Sequence, residues 1–285
     1  MWRLARAGLR ARPGQAVWQF VLGVLAIGAA VAATLYADGA AAETQRLRYA
    51  SAEGADRAIT IRGSVAAGGG LVQAERLADT LGAIGARAGL RAYGTVELDA
   101  ATLGGAQAGS VQLVAREGAC DNLRVSGRCP AAAGEALAAA DVSGATGVAA
   151  GGRLLVQAPG AAPVRLRVVG TYRAGDDASA YWAGRDDFAA DGRLTATPVI
   201  VQPATIVAAR PKTVKVRIDL VAADPAGVSG DAGVVTDVLA DVRRALPVAF
   251  TVEPGLVPLV RGAATDREVL RTGIVVGASQ LVALC

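Results

Sequence analysis

The stretch VKVRIDLV, residues 214–221, alternates cleanly between apolar and charged side chains and decides the fold class. Such alternation predicts a half-buried β-strand. Apolar residues at helical spacing follow from Val234 to Leu246, and Pro247 ends this predicted helix because proline cannot continue one. A short strand is predicted at Ala249 to Val252. Strand, helix and strand thus succeed one another at this end of the chain.

The same order occurs nearer the N-terminus. Ala58 to Ser64 alternates and contains isoleucines, as strands do, and Leu71 to Ala88 carries apolar residues at helical spacing. Gly68–Gly70 predicts a hinge or loop, and Gly89 a helix C-cap. The remaining predicted elements are strands at 111–115, 154–157 and 164–169, the last two as a hairpin, and a helix-prone segment at 135–140. We therefore expect an α+β domain with a β-rich inserted subdomain at about 119–198.

A long uncharged segment precedes this domain. It reads AVWQFVLGVLAIGAAVAATLY, from Ala16 to Tyr36. About 20 apolar residues with a rise of about 1.5 Å each cross a hydrocarbon core of about 30 Å, so we predict a transmembrane helix over 16–37. The arginines of the basic segment 1–15 are expected to stay in the cytoplasm, which places residues 38–270 outside it.

Two alternatives to this membrane helix compete with it. A buried helix of a soluble protein is rarely uncharged over such a length. A cleaved signal peptide could use the small residues after Tyr36, but its hydrophobic region usually has about 7–15 residues. A second apolar run begins at Gly273, and the chain ends within it. We interpret 271–285 as the start of a second transmembrane helix, with a short hydrophobic tail as the alternative.

Charge and composition exclude several functions. The net charge of +4 comes from four arginines that precede Asp38, and the other basic residues balance the 25 acidic ones, so no basic stripe for nucleic acid is expected. The chain contains no histidine, which excludes histidine-based triads and histidine-ligated zinc. Neither Lys212 nor Lys215 belongs to a P-loop. We predict a protein that is not an enzyme and has no catalytic, cofactor-binding or metal-binding residues.

One polar loop could suggest a site. Its carboxylates lie close in sequence to Tyr181 and Trp182, and paired carboxylates can perform acid–base chemistry or bind calcium. The spacing does not match an EF-hand loop, so we interpret the segment as a solvated loop whose aromatic residues pack against the domain. The carboxylates concerned are Asp176, Asp177, Asp186 and Asp187.

The thiols predict one disulfide. Cys120 and Cys129 flank a short polar segment, and in an oxidising compartment two cysteines this close most simply pair. A redox or metal-binding pair is the alternative, but the spacing does not fit CxxC. Cys285 ends an apolar stretch and is expected to stay reduced.

Taken together, these segments resemble a known family. RLARAGLRARPGQAVWQFVLGVLAIG is similar to the cytoplasmic lead-in and first membrane helix of FtsX-like ABC transporter permeases. LRVSGRCPAAAGEALAAADVSGATGVAAGGRLLVQ resembles their MacB-like extracytoplasmic core domain, and RLRVVGTYRA, Arg165 to Ala174, resembles a recurrent strand of that domain. The turn pattern of the core domain maps to Gly127, Arg128, Pro130, Gly134, Glu135 and Gly147.

The resemblance implies a permease subunit in the cell membrane, surrounded by lipid, that dimerises and couples to a cytoplasmic ATPase supplied by another chain. ATP-driven closure would be relayed through the membrane helices to the extracytoplasmic domain. Such permeases carry three membrane helices after the core, and this sequence ends in the first of these. A single-pass anchored binding module without an ATPase is the alternative. A secreted hydrolase is disfavoured because no histidine base is present.

Overall fold

The computed structural model describes residues 13–52, 54–103, 109–140, 148–174, 180–182, 185, 197–222 and 232–284. The chain divides into two compact units. One unit comprises Met1–Leu47 and Arg261–Cys285, and the other comprises Arg48–Val260. The second unit contains the sheet and the two hydrophobic clusters described below.

Helices account for both ends of the described chain and for the layer that packs on one face of the sheet. They are α1 (Pro13–Ser51), α2 (Ala67–Ala86), α3 (Pro203–Ala208), α4 (Ala232–Ala245) and α5 (Leu256–Leu284). Short 3-10 turns occur at Gly54–Arg57, Cys120–Asn122 and Ala180–Trp182. Among the residues described, no helix has both the length and the hydropathy needed to cross a membrane. The membrane segments predicted at 16–37 and 271–285 remain predictions.

The described strands form one ten-stranded sheet in the order β10-β1-β9-β2-β3-β8-β5-β7-β4, with β6 pairing with β2 and β7. Most neighbours are antiparallel, and the β3–β8 and β5–β7 pairs are parallel. The strands are β1 (Ala58–Ala66), β2 (Leu90–Thr102), β3 (Ser110–Arg116), β4 (Leu123–Gly127), β5 (Glu135–Ala139), β6 (Arg153–Gln157), β7 (Val164–Ala174), β8 (Thr197–Val201), β9 (Thr213–Ala222) and β10 (Phe250–Glu253). The mixture of helices and sheet agrees with the α+β prediction.

One face of the sheet carries the main hydrophobic core. Ile59 of β1 and Ile218 of β9 are fully buried there, together with Leu81 of α2 and Val242 of α4. Each large aliphatic side chain removed from water stabilises the fold by about 1.5–3 kcal/mol. Helical spacing in α2 and α4 and alternation in β1 and β9 present these residues to one another, as the sequence predicted.

The opposite face is only partly apolar. Val114, Leu137, Tyr172 and Ile200 form a second cluster beneath Tyr181 and Trp182, and beside it lie buried charged residues. The predicted half-buried character of 214–221 therefore holds only at its start. Lys215 is exposed, whereas Arg217 and Asp219, which also alternate with the apolar residues, are buried.

Two local predictions were wrong. In the helix-prone segment 135–140, residues 135–139 form β5, because Ala136 and Leu137 are fully buried and the strand pairs with β7 and β8. Tertiary hydrogen bonding and burial outweigh the helix propensity of alanine and leucine here. The predicted hinge at Gly68–Gly70 lies within the bounds of α2. Gly69 has φ of 104°, a conformation that glycine adopts without strain.

Other predicted elements agree with the structure within a few residues. The hairpin appears as antiparallel β6 and β7, and Gly89 has φ of 69° after α2. The predicted inserted subdomain at 119–198 contains β4 to β7 and the start of β8, which join the same sheet through β2, β3 and β8. Its bounds remain a prediction. Sequence patterns did not predict β2, β4, β8 or α3.

A substitution of Gly170 in β7 tests the packing between β7 and β4. A Cβ added there would lie 2.6 Å from the carbonyl oxygen of Ser126 and 3.0 Å from Leu137 Cδ2. We expect Gly170→Ala to lower the free energy of unfolding by about 1–3 kcal/mol because backbone must move to make room. Thermal unfolding of the detergent-solubilised chain measures this change.

Gly109→Ala is the control, because an added Cβ there meets only Thr102 Oγ1 at 3.9 Å. Its effect should stay within about 0.5 kcal/mol. Equal losses in both variants would contradict the close contact between β7 and β4.

Candidate functional site

Hydrogen bonds join the start of β1 to the end of α1, the helix that precedes it. Arg57, the last residue before β1, donates from Nε to the carbonyl oxygen of Ala52 at 2.9 Å and from Nη2 to that of Ala50 at 3.4 Å. A cation thereby satisfies carbonyl groups that the end of α1 leaves without helical partners. Tyr49 of α1 is buried, and its hydroxyl donates to the carbonyl oxygen of Arg57 at 3.1 Å.

Burial dominates the environment of this tyrosine. Desolvation raises the pKa of Tyr49 to about 12, although the nearby charge of Arg57 acts in the opposite direction. Tyr49 therefore stays neutral throughout the physiological pH range and donates its hydrogen bond. The end of α1 is thus held in place by the buried ring of Tyr49. Tyr49 donates a hydrogen bond to Arg57, and Arg57 donates hydrogen bonds back to the end of α1.

The chain leaves the sheet beside the point at which it enters. β10 pairs antiparallel with β1, with Thr60 opposite Glu253, and α5 begins at Leu256. Leu256 is fully buried. A Cβ added to Gly255 would collide with the carbonyl oxygen of Ala55, so only glycine allows the two connections to pack this closely. We call residues 49–52, 54–57 and 253–256 the helix–sheet junction.

A buried charged network lies on the second face of the sheet. Asp219 of β9 and Arg116 of β3 have fully buried side chains, and Arg116 Nη1 donates to Asp219 Oδ2 at 2.7 Å. Arg217 and Thr60 donate to Asp219 Oδ1 at 2.9 and 3.0 Å, and Arg116 also reaches Thr95 of β2. The carboxylate therefore connects residues of β1, β9 and β3, and Arg116 extends the network to β2.

The electrostatics of this network favour the ionised carboxylate. Burial acts to raise the pKa of Asp219, but the guanidinium groups of Arg217 and Arg116 lower it below its ordinary value. Removing one partner from such a buried pair leaves an unpaired charge in a region of low dielectric. The network therefore requires both arginines and the aspartate.

Aromatic rings surround the buried arginine. The guanidinium carbon of Arg116 lies 4.6 Å from the centroid of the Tyr181 ring, 5.1 Å from that of Tyr93 and 5.5 Å from that of Trp182. Arg116 Nη2 also donates to the carbonyl oxygen of Tyr181 at 2.5 Å. Cation–π attraction strengthens where water is excluded, so these contacts hold the 180–182 turn against the sheet.

The same turn contacts the segment that bears the disulfide. Tyr181 donates from its hydroxyl to the carbonyl oxygen of Glu117, and Trp182 Nε1 donates to that of Asn122 at 2.7 Å. Cys120 and Cys129 form the predicted disulfide, with a distance of 6.2 Å between their Cα atoms. It joins the two ends of the short strand β4 at the edge of the sheet.

Residues from the permease-like turn pattern form a compact turn after β4. Gly127 has φ of 103°, and a Cβ there would approach Gly170 Cα at 2.8 Å. Arg128 donates both ends of its guanidinium fork to Glu135. Gly134 has φ of 81° and donates its N–H to Thr205 Oγ1 at 3.0 Å. These residues shape the chain; Gly147 lies outside the described residues.

The other residues singled out from the sequence divide into two groups. Tyr181 and Trp182 are buried, in agreement with the interpretation that they pack against the domain. The carboxylates Asp176, Asp177, Asp186 and Asp187, and Cys285, lie outside the described residues. Within the described ranges, no group of histidine, cysteine, aspartate or glutamate side chains could hold a metal ion.

Comparisons with solved structures include two likenesses to transport-protein domains. The extracellular domain of the noncanonic ABC-type transporter YknZ from Gram-positive bacteria is 12% identical, with a TM-score of 0.38 over 68% of this chain and 98% of that one. A domain from Porphyromonas gingivalis described as part of a permease is 12% identical, with a TM-score of 0.35 over 70% of this chain and 91% of that one. No family model and no curated protein matches.

Asp219→Asn tests the buried network. Because it leaves two buried guanidinium groups without their carboxylate, we expect a loss of about 3–5 kcal/mol in the free energy of unfolding. Asp99→Asn is the control, since Asp99 pairs with Lys215 where both side chains are about half exposed, and such pairs contribute about 0–1 kcal/mol. Thermal unfolding at pH 7 compares the two.

The pH dependence of the wild type has a defined sign. The folded pKa of Asp219 lies below that of the unfolded chain, which is about 3.9, so its contribution is present above that pH and is lost as the pH falls through the folded value. Asp219→Asn should therefore lose less stability than the wild type below about pH 4. Identical acid profiles would contradict this role of Asp219.

Proposed function

We propose that this chain is a permease subunit, or the front part of one, of an ABC transporter of the FtsX and MacB type. In this proposal the Arg48–Val260 unit lies outside the cytoplasm and receives motion from a separate ATPase. The helix–sheet junction supports the proposal, because the connection that follows α1 and the connection that precedes α5 meet at the neighbouring strands β1 and β10, where Gly255 lies against Ala55. The sequence resemblance supplies the transporter class.

Features of α1 support a membrane anchor. The segment 16–36 has no charged residue, and the described part of α1 exposes large apolar side chains, which include Trp18 at 65% and Tyr36 at 78%. Contiguous exposed apolar surface marks contact with another apolar phase or partner. Arginines precede the segment, and by the positive-inside rule they stay in the cytoplasm. Lipid is therefore the proposed surrounding of this segment.

The length of α1 supports a mechanical relay. Its 39 residues form one helix of about 58 Å at 1.5 Å rise, and the helix ends at Ser51 beside the buried Tyr49. In this proposal, displacement of the apolar segment reaches the sheet through α1, which ends next to β1. The hydrogen bonds from the Arg57 side chain hold the final turn of this helix beside the start of β1.

The chain supplies no nucleotide-binding motif, so the proposed energy source is an ATPase in trans, and the proposed assembly contains a permease dimer. The proposed role of this chain is mechanical, and it catalyses no covalent step. The network around Asp219 would keep β1, β9, β2 and β3 together while force enters through β1.

Membrane topology gives the first test. Alkaline phosphatase fused after residue 60 folds only outside the cytoplasm, whereas green fluorescent protein exported in the same way stays dark. We expect phosphatase activity and no fluorescence, because the arginines hold the N-terminus inside. The opposite pattern would place the sheet in the cytoplasm and exclude the proposal.

Coupling to an ATPase gives the second test. The full chain, tagged and purified from its native host in mild detergent, should recover an ATP-binding subunit. ATP with vanadate should then change the proteolysis pattern of the sheet-bearing unit. Gly255→Ala should retain the ATPase subunit but weaken this change, since the junction can no longer pack as before.

Gly273→Ala in α5 serves as the matched control, because an added Cβ there meets no atom within 4 Å. Tyr49→Phe is the milder junction variant, since it removes only the hydroxyl that donates to Arg57. Recovery of an anchored chain with no ATPase would favour the single-pass binding module. An unchanged ATP response in both junction variants would remove the junction from the relay.

A further inference from the structure

Exposed arginines gather where β5, β6 and β7 meet. They are Arg128, Arg153, Arg165 and Arg167, together named the arginine cluster. Leu166 and Val168 alternate with the β7 arginines and are buried in the main core, so Arg165 and Arg167 project from the other face of the sheet. Arg153 of β6 lies directly opposite Arg167 and belongs to that same face.

The cluster contains more positive charge than its surroundings neutralise. Glu135 bonds to Arg128 and Arg167, whereas Arg153 and Arg165 have no ion pair with any described carboxylate. Like charges directly opposite each other destabilise an antiparallel pair, and Arg153 faces Arg167 in this way. A bound anion would relieve this repulsion.

Composition does not account for the cluster. The basic and acidic residues that follow the N-terminal arginines are equal in number, so the chain beyond them is neutral on average. A bias toward arginine alone would leave these charges scattered among acidic neighbours. β6 and β7 instead place Arg153, Arg165 and Arg167 on one face, at fixed positions in their register, and Arg128 joins this face through Glu135.

Glu135 shows which anion this face accommodates. Arg128 Nη1 lies 2.7 Å from one oxygen of Glu135 and Nη2 bonds to the other, while Arg167 Nη2 approaches at 3.1 Å. The hydrogen bond from Arg128 and that from the N–H of Ala131 lower the pKa of Glu135 to about 2. Such a fork matches the planar shape of a carboxylate, so the cluster has the geometry for carboxylate ligands.

Spacing indicates the form of the ligand. Arg153 lies opposite Arg167, so Arg153 and Arg165 are diagonal neighbours across β6 and β7, about 7–8 Å apart. Alternate side chains of an extended polypeptide have nearly the same separation, about 7 Å. Through β6, β2 and β9, β7 is four strand positions from β1, or about 19 Å, so a ligand here does not lie on the strands of the helix–sheet junction. A partner could therefore bind without disturbing that junction.

We propose that the arginine cluster is the docking surface for an acidic, extended segment of a partner polypeptide, with carboxylates at alternate positions. Arg153 and Arg165 form the new ion pairs, and Glu135 keeps Arg128 and Arg167 in place beside them. The proposal concerns binding alone, and it holds whether or not the chain couples to an ATPase.

A fluorescent decapeptide of alternating glutamate and threonine is the probe, titrated against the full chain in a neutral detergent and followed by anisotropy. We expect saturable binding that weakens as salt is raised from 50 to 300 mM, because the ion pairs are exposed. The double variant Arg153→Gln, Arg165→Gln should bind about tenfold more weakly, since it removes both unpaired guanidinium groups.

The matched control is Arg124→Gln, Arg173→Gln, which removes two exposed arginines that face each other in the register of β4 and β7. It should change the affinity by less than about twofold, because the uncharged substitution leaves the cluster intact. If the first double variant melts at a lower temperature than the control, the single variants Arg153→Gln and Arg165→Gln replace it. Each should then weaken binding by about threefold.

Several results would overturn the proposal. Absence of peptide binding would do so, as would equal losses in the two double variants, which would indicate general attraction to a basic protein. Polyphosphate or phosphatidylglycerol vesicles are titrated in parallel. If either binds with the dependence on Arg153 and Arg165 expected for the peptide, and the peptide does not, the ligand is a phosphate and the acidic polypeptide is excluded.

Discussion

The carboxylate of Asp219 is the constraint on which the sheet depends. An ionised group without water is tolerated only when other charges and donors surround it, and here two guanidinium groups and a threonine hydroxyl do so from β9, β3 and β1. The arginine on β3 in turn needs the rings of Tyr93, Tyr181 and Trp182 around it. Polar pairing thus fixes the register of the central strands on a face that has little apolar area to do so.

Local pattern predicted what local interactions determine. Alternation in 214–221 and 58–64 identified the central strands, and the short spacing of Cys120 and Cys129 identified the disulfide. The ion pair between Arg116 and Asp219 joins residues 103 positions apart, and the sequence around either residue does not predict its contact with the other. The sequence signal for this network is that Arg217 and Asp219 lie within a strand-like run. The half-buried interpretation of that run placed both charges in solvent.

The failures have a common physical cause. The alanine-rich segment 135–139 has high helix propensity, yet two neighbouring strands supply hydrogen bonds on both sides and bury its side chains. β2 mixes tyrosine, threonine and acidic residues because its second face contacts the charged network, so its alternation does not resemble that of an amphipathic strand. The conformation of these segments depends on which strands lie beside them in the sheet, and those neighbouring strands come from distant parts of the chain.

The pairing of β1 with β10 determines how this domain can be permuted or inserted into another chain. Because the first and last strands are neighbours, Ala58 and Glu253 lie within about two residue lengths and one strand spacing of each other. A short linker could join them and produce a circular permutant with new ends elsewhere on the surface. For the same reason, a module of this kind could be spliced between two helices of a host protein with little displacement of either helix.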